Sequence, residues 1–302
     1  MLTFTFSLFF ILLFAAESVP PLQRPNVLDA FLGSTPTLDG VLTPGEWDDA
    51  ETFFGVEGWM PEFDPVVVTN VSGEPTDLAV QVWVKHDLDH LYFAFAVQDD
   101  LLYGFQTERW LPNGNPSANN LTQQGWPWFG DEVEILLNPS DTWKALNQSV
   151  SGNGSSWQMV CNLGKSRLGG IGVGGLLEGE PRSSDAAWNT YQAWIQSGAQ
   201  RAVTQAQPGA GTQGGSLYVF EWAIAFKPCV ELRPGVFYDP ATMTDPTPIG
   251  INIALGDVDT SAEGDAVYGL RHEMWINGTK SDRTMLYQFG TLWLQSQRKS
   301  YK

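Results

Sequence analysis

The sequence predicts an all-β protein: an antiparallel β-sandwich, jelly-roll-like, with long loops. Several short segments alternate apolar residues with other residues, which is the period of a half-buried strand. Gly (31) and Pro (19) are abundant and favour turns, and 17 Phe and 13 Trp residues favour strands. No segment has the long 3.6-residue apolar period of a helix. Many strands without alternating helices predict two packed antiparallel layers.

The first predicted pair of strands covers residues 78–84 and 91–97, joined by the polar stretch HDLDH at 86–90. This pattern predicts a hairpin, with HDLDH as its turn rather than as a metal cluster. In the next strand Val133, Ile135 and Leu137 should face the core. Glu132 and Glu134 should then lie on the opposite face, because successive side chains in a strand alternate.

Three later segments continue the pattern. Residues 218–226 and 249–255 each place a row of large apolar side chains on one face, and FGTLWL at 289–294 forms the last strand. The connections at 103–127, 164–187, 197–216 and 228–248 are rich in Gly, Pro, Asn, Ser and Gln and are predicted to be long loops. Strand signals resume on both sides of each, which predicts a single domain over residues 19–302.

The chain has a net charge of −18 and a pI of about 4.3. Such a surface repels phosphate backbones, so nucleic acid is not expected as a partner. The charge suits a soluble protein in an acidic or extracellular setting.

Residues 1–18 have the features of a secretory signal peptide. A compact apolar run ends near Phe14, and Ala16 and Ser18 supply small residues before a cleavage site after Ser18. A membrane anchor is the alternative, but the apolar run is short and Pro20 and Pro21 follow at once. The sequence therefore predicts a secreted protein without a membrane span after cleavage.

Two further features accompany export. Glycosylation sequons begin at five positions: Asn70, Asn120, Asn147, Asn153 and Asn277. The chain has two cysteines, Cys161 and Cys229, which predict one disulfide in an exported protein, with two buried free thiols as the alternative.

The order and spacing of six short segments resemble those of family 9 carbohydrate-binding modules, within the DOMON-like group of β-sandwiches. The segments are TLDGVLTPGEWDDAE (37–51), HLYFAFAVQDD (90–100), WFGDEVEILLNP (128–139), FEWAIAF (220–226), PIGINIALGDVD (248–259) and FGTLWL (289–294). The resemblance implies an antiparallel sandwich that binds plant or cell-wall polysaccharides or oligosaccharides without catalysis.

The resemblance also implies a binding site. Trp128 matches an aromatic residue that stacks on a sugar ring, and Glu134 matches a carboxylate that accepts hydrogen bonds from hydroxyls. Trp126 is a possible second platform residue, and Gln158 stands where the family has a basic donor. The segment KSDRT at 280–284 lacks the second tryptophan with which family members close a clamp.

Calcium is the cofactor that the sequence favours, in a structural role. Asp131, Asp257 and Asp259 lie at predicted strand ends, where carboxylate oxygens are the ligands that calcium prefers. Formation of turns is the alternative role of these residues.

Two other functions are kept as alternatives. Some DOMON-like sandwiches transfer electrons through a haem held by Met and His, for which Met60 or Met159 with His272 would be the ligands. Glu132 and Glu134 could instead serve a glycoside-active enzyme as paired carboxylates.

Overall fold

The computed structural model describes residues 27–56, 79–99, 132–139, 157–162, 193–194, 196–207, 216–257, 272–275 and 289–298. The strands in these ranges are β1 Val27–Leu32, β2 Glu51–Val56, β3 Ala79–His86, β4 His90–Asp99, β5 Glu132–Asn138, β6 Trp157–Asn162, β7 Gln200–Gln207, β8 Ser216–Ala225, β9 Glu231–Arg233, β10 Val236–Phe237, β11 Thr247–Asp257, β12 His272–Trp275 and β13 Gly290–Gln295. Residues 193–194 and 196–197 are helical, and a short helical turn, α1, covers Phe226–Cys229 and follows β8 directly.

Eleven of these strands belong to one curled sheet. Its order is β6-β5-β11-β13-β1-β3-β4-β8-β7, with β12 added beside β11 and β2 beside β3. Strands β9 and β10 form a separate two-stranded hairpin. We call β5, β6, β11, β12 and β13 the first half of the sheet, and β2, β3, β4, β7 and β8 the second half. Strand β1 joins the two.

The two halves share one hydrophobic core. Their inward side chains form a single cluster, which includes Val82, Phe93, Phe220 and Trp222 from the second half and Ile135, Ile251 and Leu292 from the first half. Burying a large apolar side chain stabilises a fold by about 1.5–3 kcal/mol. Because both halves contribute to one core, they pack as the two layers of a sandwich, and the predicted all-β sandwich is confirmed.

Several predicted details are also confirmed. Strands β3 and β4 form the predicted hairpin, with Val84 opposite Phe93. Val133, Ile135 and Leu137 belong to the core cluster, so β5 has its predicted inward face.

Three details differ from the sequence prediction. Strand β1 runs parallel to both β13 and β3, so the sheet is mixed rather than purely antiparallel. Part of the predicted loop 197–216 is strand β7, an edge strand whose inward residues are Gln200, Ala202 and Thr204 rather than large apolar residues. The predicted loop 228–248 contains the β9–β10 hairpin.

Candidate functional site

The outer face of the second half is covered by residues 33–50, which connect β1 to β2 and which we call the strap. Trp47 and Ala50 of the strap pack against Tyr92 of β4 and Ala223 of β8. These four side chains are each at most 5% exposed. The strap therefore occupies the part of this face that β4 and β8 present.

A buried carboxylate fixes the strap to the sheet. Oε2 of Glu221 accepts hydrogen bonds from the backbone N–H groups of Asp39 (2.8 Å) and Gly40 (2.7 Å). Oε1 accepts a third from the indole N–H of Trp47 at 3.2 Å. Burial raises the pKa of Glu221, and these hydrogen bonds oppose the rise because they favour the charged form.

A fully buried ammonium group contacts both ends of the strap. Nζ of Lys85, on β3, donates to Oδ1 of Asp49 at 2.8 Å, to the carbonyl oxygen of Glu46 at 2.5 Å and to Oγ of Ser34 at 3.2 Å. It also lies 5.0 Å from the ring centroid of Trp47, within the range of a cation–π contact. The charge is thus paired and hydrogen-bonded, as a buried charge requires.

The turn between β3 and β4 is organised by Asp87, the second residue of HDLDH. Its carboxylate accepts hydrogen bonds from the N–H groups of Asp89 and His90, from the Thr35 hydroxyl and from the Tyr92 hydroxyl. Burial raises the pKa of Asp87, but these hydrogen bonds outweigh burial and the net shift is downward. All four donors stabilise the turn, which agrees with the turn interpretation of this motif.

The outer face of the first half has a different character. On β5, Glu132 and Glu134 point away from the core, as predicted. Leu136 and Asn138 do so too, yet each of the four is at most 2% exposed. On β11, Asn252 lies on the same face and is 2% exposed. This face therefore carries a row of buried carboxylate and amide groups, just as the outer face of the second half carries the buried Lys85 and Glu221.

The pairing of the strands places further residues beside Glu134. It lies opposite Ala254 of β11 on one side and Val160 of β6 on the other. Ala254 is in turn paired with Trp275 of β12. Because directly paired residues of antiparallel strands share a face, the backbone register assigns position 275 to the outer face as well.

Glu134 and Gln158 are the two predicted sugar-binding residues that fall on described strands. The structure brings their positions to one face, because Gln158 is paired with Leu136, two residues from Glu134. Trp126 and Trp128 lie outside the described residues. The stacking roles of both tryptophans therefore stay predictions.

Asn252 and Asn138 were missed by the sequence reasoning. A signal for Asn252 was present, because it interrupts the outward positions of GINIALG, which otherwise hold Gly and Ala. Its Oδ1 accepts a hydrogen bond from the N–H of Ile253 at 2.9 Å.

The predicted calcium ligands are mostly untested. Asp131 and Asp259 lie outside the described residues, and Asp257 ends β11, opposite His272 of β12. Within the described ranges no three His, Cys, Asp or Glu side chains are grouped closely enough to hold a metal ion. Calcium binding stays a prediction.

The predicted disulfide is corrected. No disulfide joins Cys161 and Cys229 in the structure, and both thiols are buried. Cys161 is on β6 opposite Val133, whereas Cys229 ends α1 and its Sγ lies 3.6 Å from the carbonyl oxygen of Ala199. The two thiols therefore fit the alternative of buried free cysteines.

Met159, one of the two haem-ligand candidates, is part of the hydrophobic core. It is 1% exposed, and its sulfur accepts a hydrogen bond from Nε2 of Gln200 at 3.0 Å. Met60 lies outside the described residues. His272 is described only as a backbone position, paired with Asp257.

The features that predict export also lie outside the described residues. These are the signal peptide at 1–18 and the sequons at Asn70, Asn120, Asn147, Asn153 and Asn277. No helix among the described residues is long and apolar enough to cross a membrane.

Several solved structures are similar to this chain. The chain is similar to a family 9 carbohydrate-binding module from Caldicellulosiruptor kristjanssonii in complex with glucose, with 16% identity and a TM-score of 0.49 over 91% of this chain and 98% of that chain. A module of the same family and organism in complex with cellotriose gives 15% identity and 0.49, over 89% and 93%.

A third similar structure is a candidate carbohydrate-binding protein from Bacteroides uniformis. It has 12% identity and a TM-score of 0.43 over 89% of this chain and 99% of that chain. No family model and no curated protein matches the sequence.

Proposed function

We propose that the protein is a secreted, non-catalytic carbohydrate-binding protein that takes polysaccharide or oligosaccharide on the outer face of β5 and β11. The observation that carries the proposal is the row of hydrogen-bonding side chains on this face. Glu132, Glu134, Asn138 and Asn252 supply carboxylate and amide groups there, and because each is at most 2% exposed, a sugar reaches them only by displacing what covers them. Sugar hydroxyls need such acceptors and donors, and a carboxylate is a stronger acceptor than a neutral group.

The rest of the face supports the same assignment. The β11 residues between and beside these groups are small, namely Gly250, Ala254 and Gly256. Small residues allow a ligand to approach the backbone closely. Trp128, just before β5, would supply the apolar surface on which a sugar ring stacks.

A binding role fits the acidic pair better than hydrolysis does. A glycosidase needs two carboxylates that flank the scissile bond, one to protonate the leaving group and one on the other side of the sugar. Glu132 and Glu134 lie two residues apart on one strand and on the same face. Both carboxylates therefore lie on one side of a bound sugar, not on opposite sides of it.

Isothermal titration tests the proposal. Glucose, cellotriose and xylo-oligosaccharides are suitable ligands, since they cover monosaccharide and plant-polymer units. Glu134→Gln keeps the side-chain volume but removes the charge, so binding should weaken by about 1.5–3 kcal/mol, the value of a hydrogen bond to a charged group. Trp128→Ala should cost about 1–3 kcal/mol, typical of an anchoring aromatic residue.

Asp245→Asn is the matched control. It makes the same isosteric change at an exposed carboxylate outside this face and should leave binding unchanged. Circular dichroism verifies that each variant is folded. The proposal fails if the wild-type protein binds none of these sugars, or if Glu134→Gln binds them as tightly as Asp245→Asn does.

A further inference from the structure

A pocket of about 820 Å³ opens at one end of the sandwich. Its walls come from three places in the chain: the β3–β4 turn, the residues just before β7, and the chain from the end of β8 to Asp239. This volume lies within the range of small-molecule sites. None of the residues that line the pocket belongs to the outer face of β5 and β11.

Backbone hydrogen bonds fix the walls to one another. The N–H of Phe226 donates to the carbonyl oxygen of Asp89 at 2.8 Å, which joins α1 to the β3–β4 turn. The N–H of Ala225 donates to the carbonyl oxygen of Ala199 at 2.7 Å, which joins β8 to the chain before β7. The pocket is therefore built before any ligand arrives, which lowers the entropic cost of binding.

Packed aromatic rings support the pocket from below. The rings of Phe226 and Tyr238 meet edge to face, with centroids 4.6 Å apart. The buried His86 ring lies edge-on to both, at 5.5 and 5.9 Å. Such ring contacts contribute about 0.5–1.5 kcal/mol each in addition to the burial of apolar area, so they keep these three rings in place beneath the pocket.

The accessible groups of the lining have the chemistry of a site for a neutral polyol. Phe237 is half-buried and offers an apolar ring, while the side chains of Asp89 and Asp239 are exposed acceptors. His90 is 28% exposed, and Lys227 adds a donor at the rim. With two carboxylates and one ammonium in a chain of net charge −18, the pocket disfavours anions.

We propose that this pocket is a second saccharide-binding site, which takes one or two neutral sugar rings. The Phe237 ring packs on the C–H face of the sugar, and Asp89 and Asp239 accept hydrogen bonds from its hydroxyls. The inference does not depend on the outer face of β5 and β11, and either site can be absent without the other.

The imidazole of His90 provides a local signal for the test. The chain has only three histidines, so their ring proton resonances can be followed separately by NMR. Titration of the full protein with glucose and with cellotriose should shift the His90 resonances in a saturable way. The same titration of Glu134→Gln should shift them equally, because that variant alters the other site.

Two variants of the lining should abolish or weaken the shift. Phe237→Ala removes the apolar ring and should weaken binding at least tenfold. Asp239→Asn should weaken it several-fold without loss of folding, because its Oδ1 can still accept the hydrogen bond from the N–H of Ala241, at 2.9 Å in the wild type. Val41→Ala, an apolar truncation at an exposed strap position, is the control and should titrate as the wild type does.

Three results would overturn the proposal. The first is an unchanged His90 signal at saturating sugar. The second is a signal that disappears in Glu134→Gln, which would mean that one site accounts for all binding. The third is a response to glucosamine but not to glucose, which would make the pocket a site for cations. If Phe237→Ala does not fold, Asp239→Asn alone decides, and wild-type affinity in that variant refutes the assignment.

Discussion

Removal of either partner of the Lys85–Asp49 pair should destabilise the protein, and the two removals should differ in a defined order. Lys85 is fully buried, whereas the side chain of Asp49 is 24% exposed. Asp49→Asn leaves an ammonium group buried with only neutral partners. Lys85→Met leaves a carboxylate that water still reaches.

The burial and the remaining hydrogen bonds of each partner set the expected loss in the free energy of unfolding. Loss of one partner of a buried ion pair costs about 3–5 kcal/mol, because the other charge stays buried. Asp49→Asn should cost about 3 kcal/mol, at the lower end, because the amide oxygen can still accept a hydrogen bond from Lys85. Lys85→Met should cost only about 1–2 kcal/mol, since Asp49 keeps the hydrogen bonds from the N–H and hydroxyl of Ser34.

Urea unfolding at pH 7 measures the free energy of unfolding of both variants. A series of such measurements at different pH values adds a second test. Partial burial raises the pKa of Asp49, but hydrogen bonds from Lys85 and Ser34 and the charge of Lys85 outweigh it and lower the pKa below 3.8. A carboxyl with a lowered pKa stabilises the fold above its unfolded pKa, and this contribution is lost as the pH falls through the folded value. The difference between wild type and Lys85→Met should therefore shrink below about pH 3.8.

The reverse order would refute this reasoning. If Lys85→Met costs more than Asp49→Asn, the ammonium group is not the dominant buried charge. If both variants stay within about 0.5 kcal/mol of the wild type, as surface changes usually do, the strap does not depend on this pair.

Glu221→Gln should destabilise the protein by about 1–3 kcal/mol, because an amide N–H₂ group replaces one of the two oxygens that accept buried N–H groups; an unchanged urea midpoint would contradict this. A thiol assay on denatured, unreduced protein should titrate both Cys161 and Cys229. The native protein should react slowly, because both thiols are buried and burial raises the pKa of Cys229 to about 12. Recovery of the two cysteines in one disulfide-linked peptide pair would show that the thiols are not free.

The sequence predicted the parts of the fold that depend on local alternation. The inward faces of β5, β8 and β11 follow directly from their rows of large apolar residues. Strand β7 was missed because its inward positions hold Gln200, Ala202 and Thr204, which give no apolar period. An edge strand can form on backbone hydrogen bonds to one neighbour, and such pairing leaves little trace in the pattern of side chains.

Burial on the outer faces could not be predicted in this way. Alternation placed Lys85 and Glu134 on outward positions, where charged residues usually meet solvent. Both are buried, at 0% and 2% exposure. For Lys85 the reason is the strap. The strap is hydrogen-bonded to Glu221, which lies 181 residues from Gly40 in sequence, so no local pattern reveals the contact.

The position of β1 has a consequence for the order in which the chain can fold. As the protein is synthesised, β1 emerges long before one of its two partners, β13, with Val27 opposite Thr291. Until then one edge of β1 has no partner, and unpaired edges invite aggregation. Contacts so distant along the chain also close slowly. We therefore expect nascent chains that stop before residue 290 to require a chaperone, even though the β3–β4 hairpin can already form.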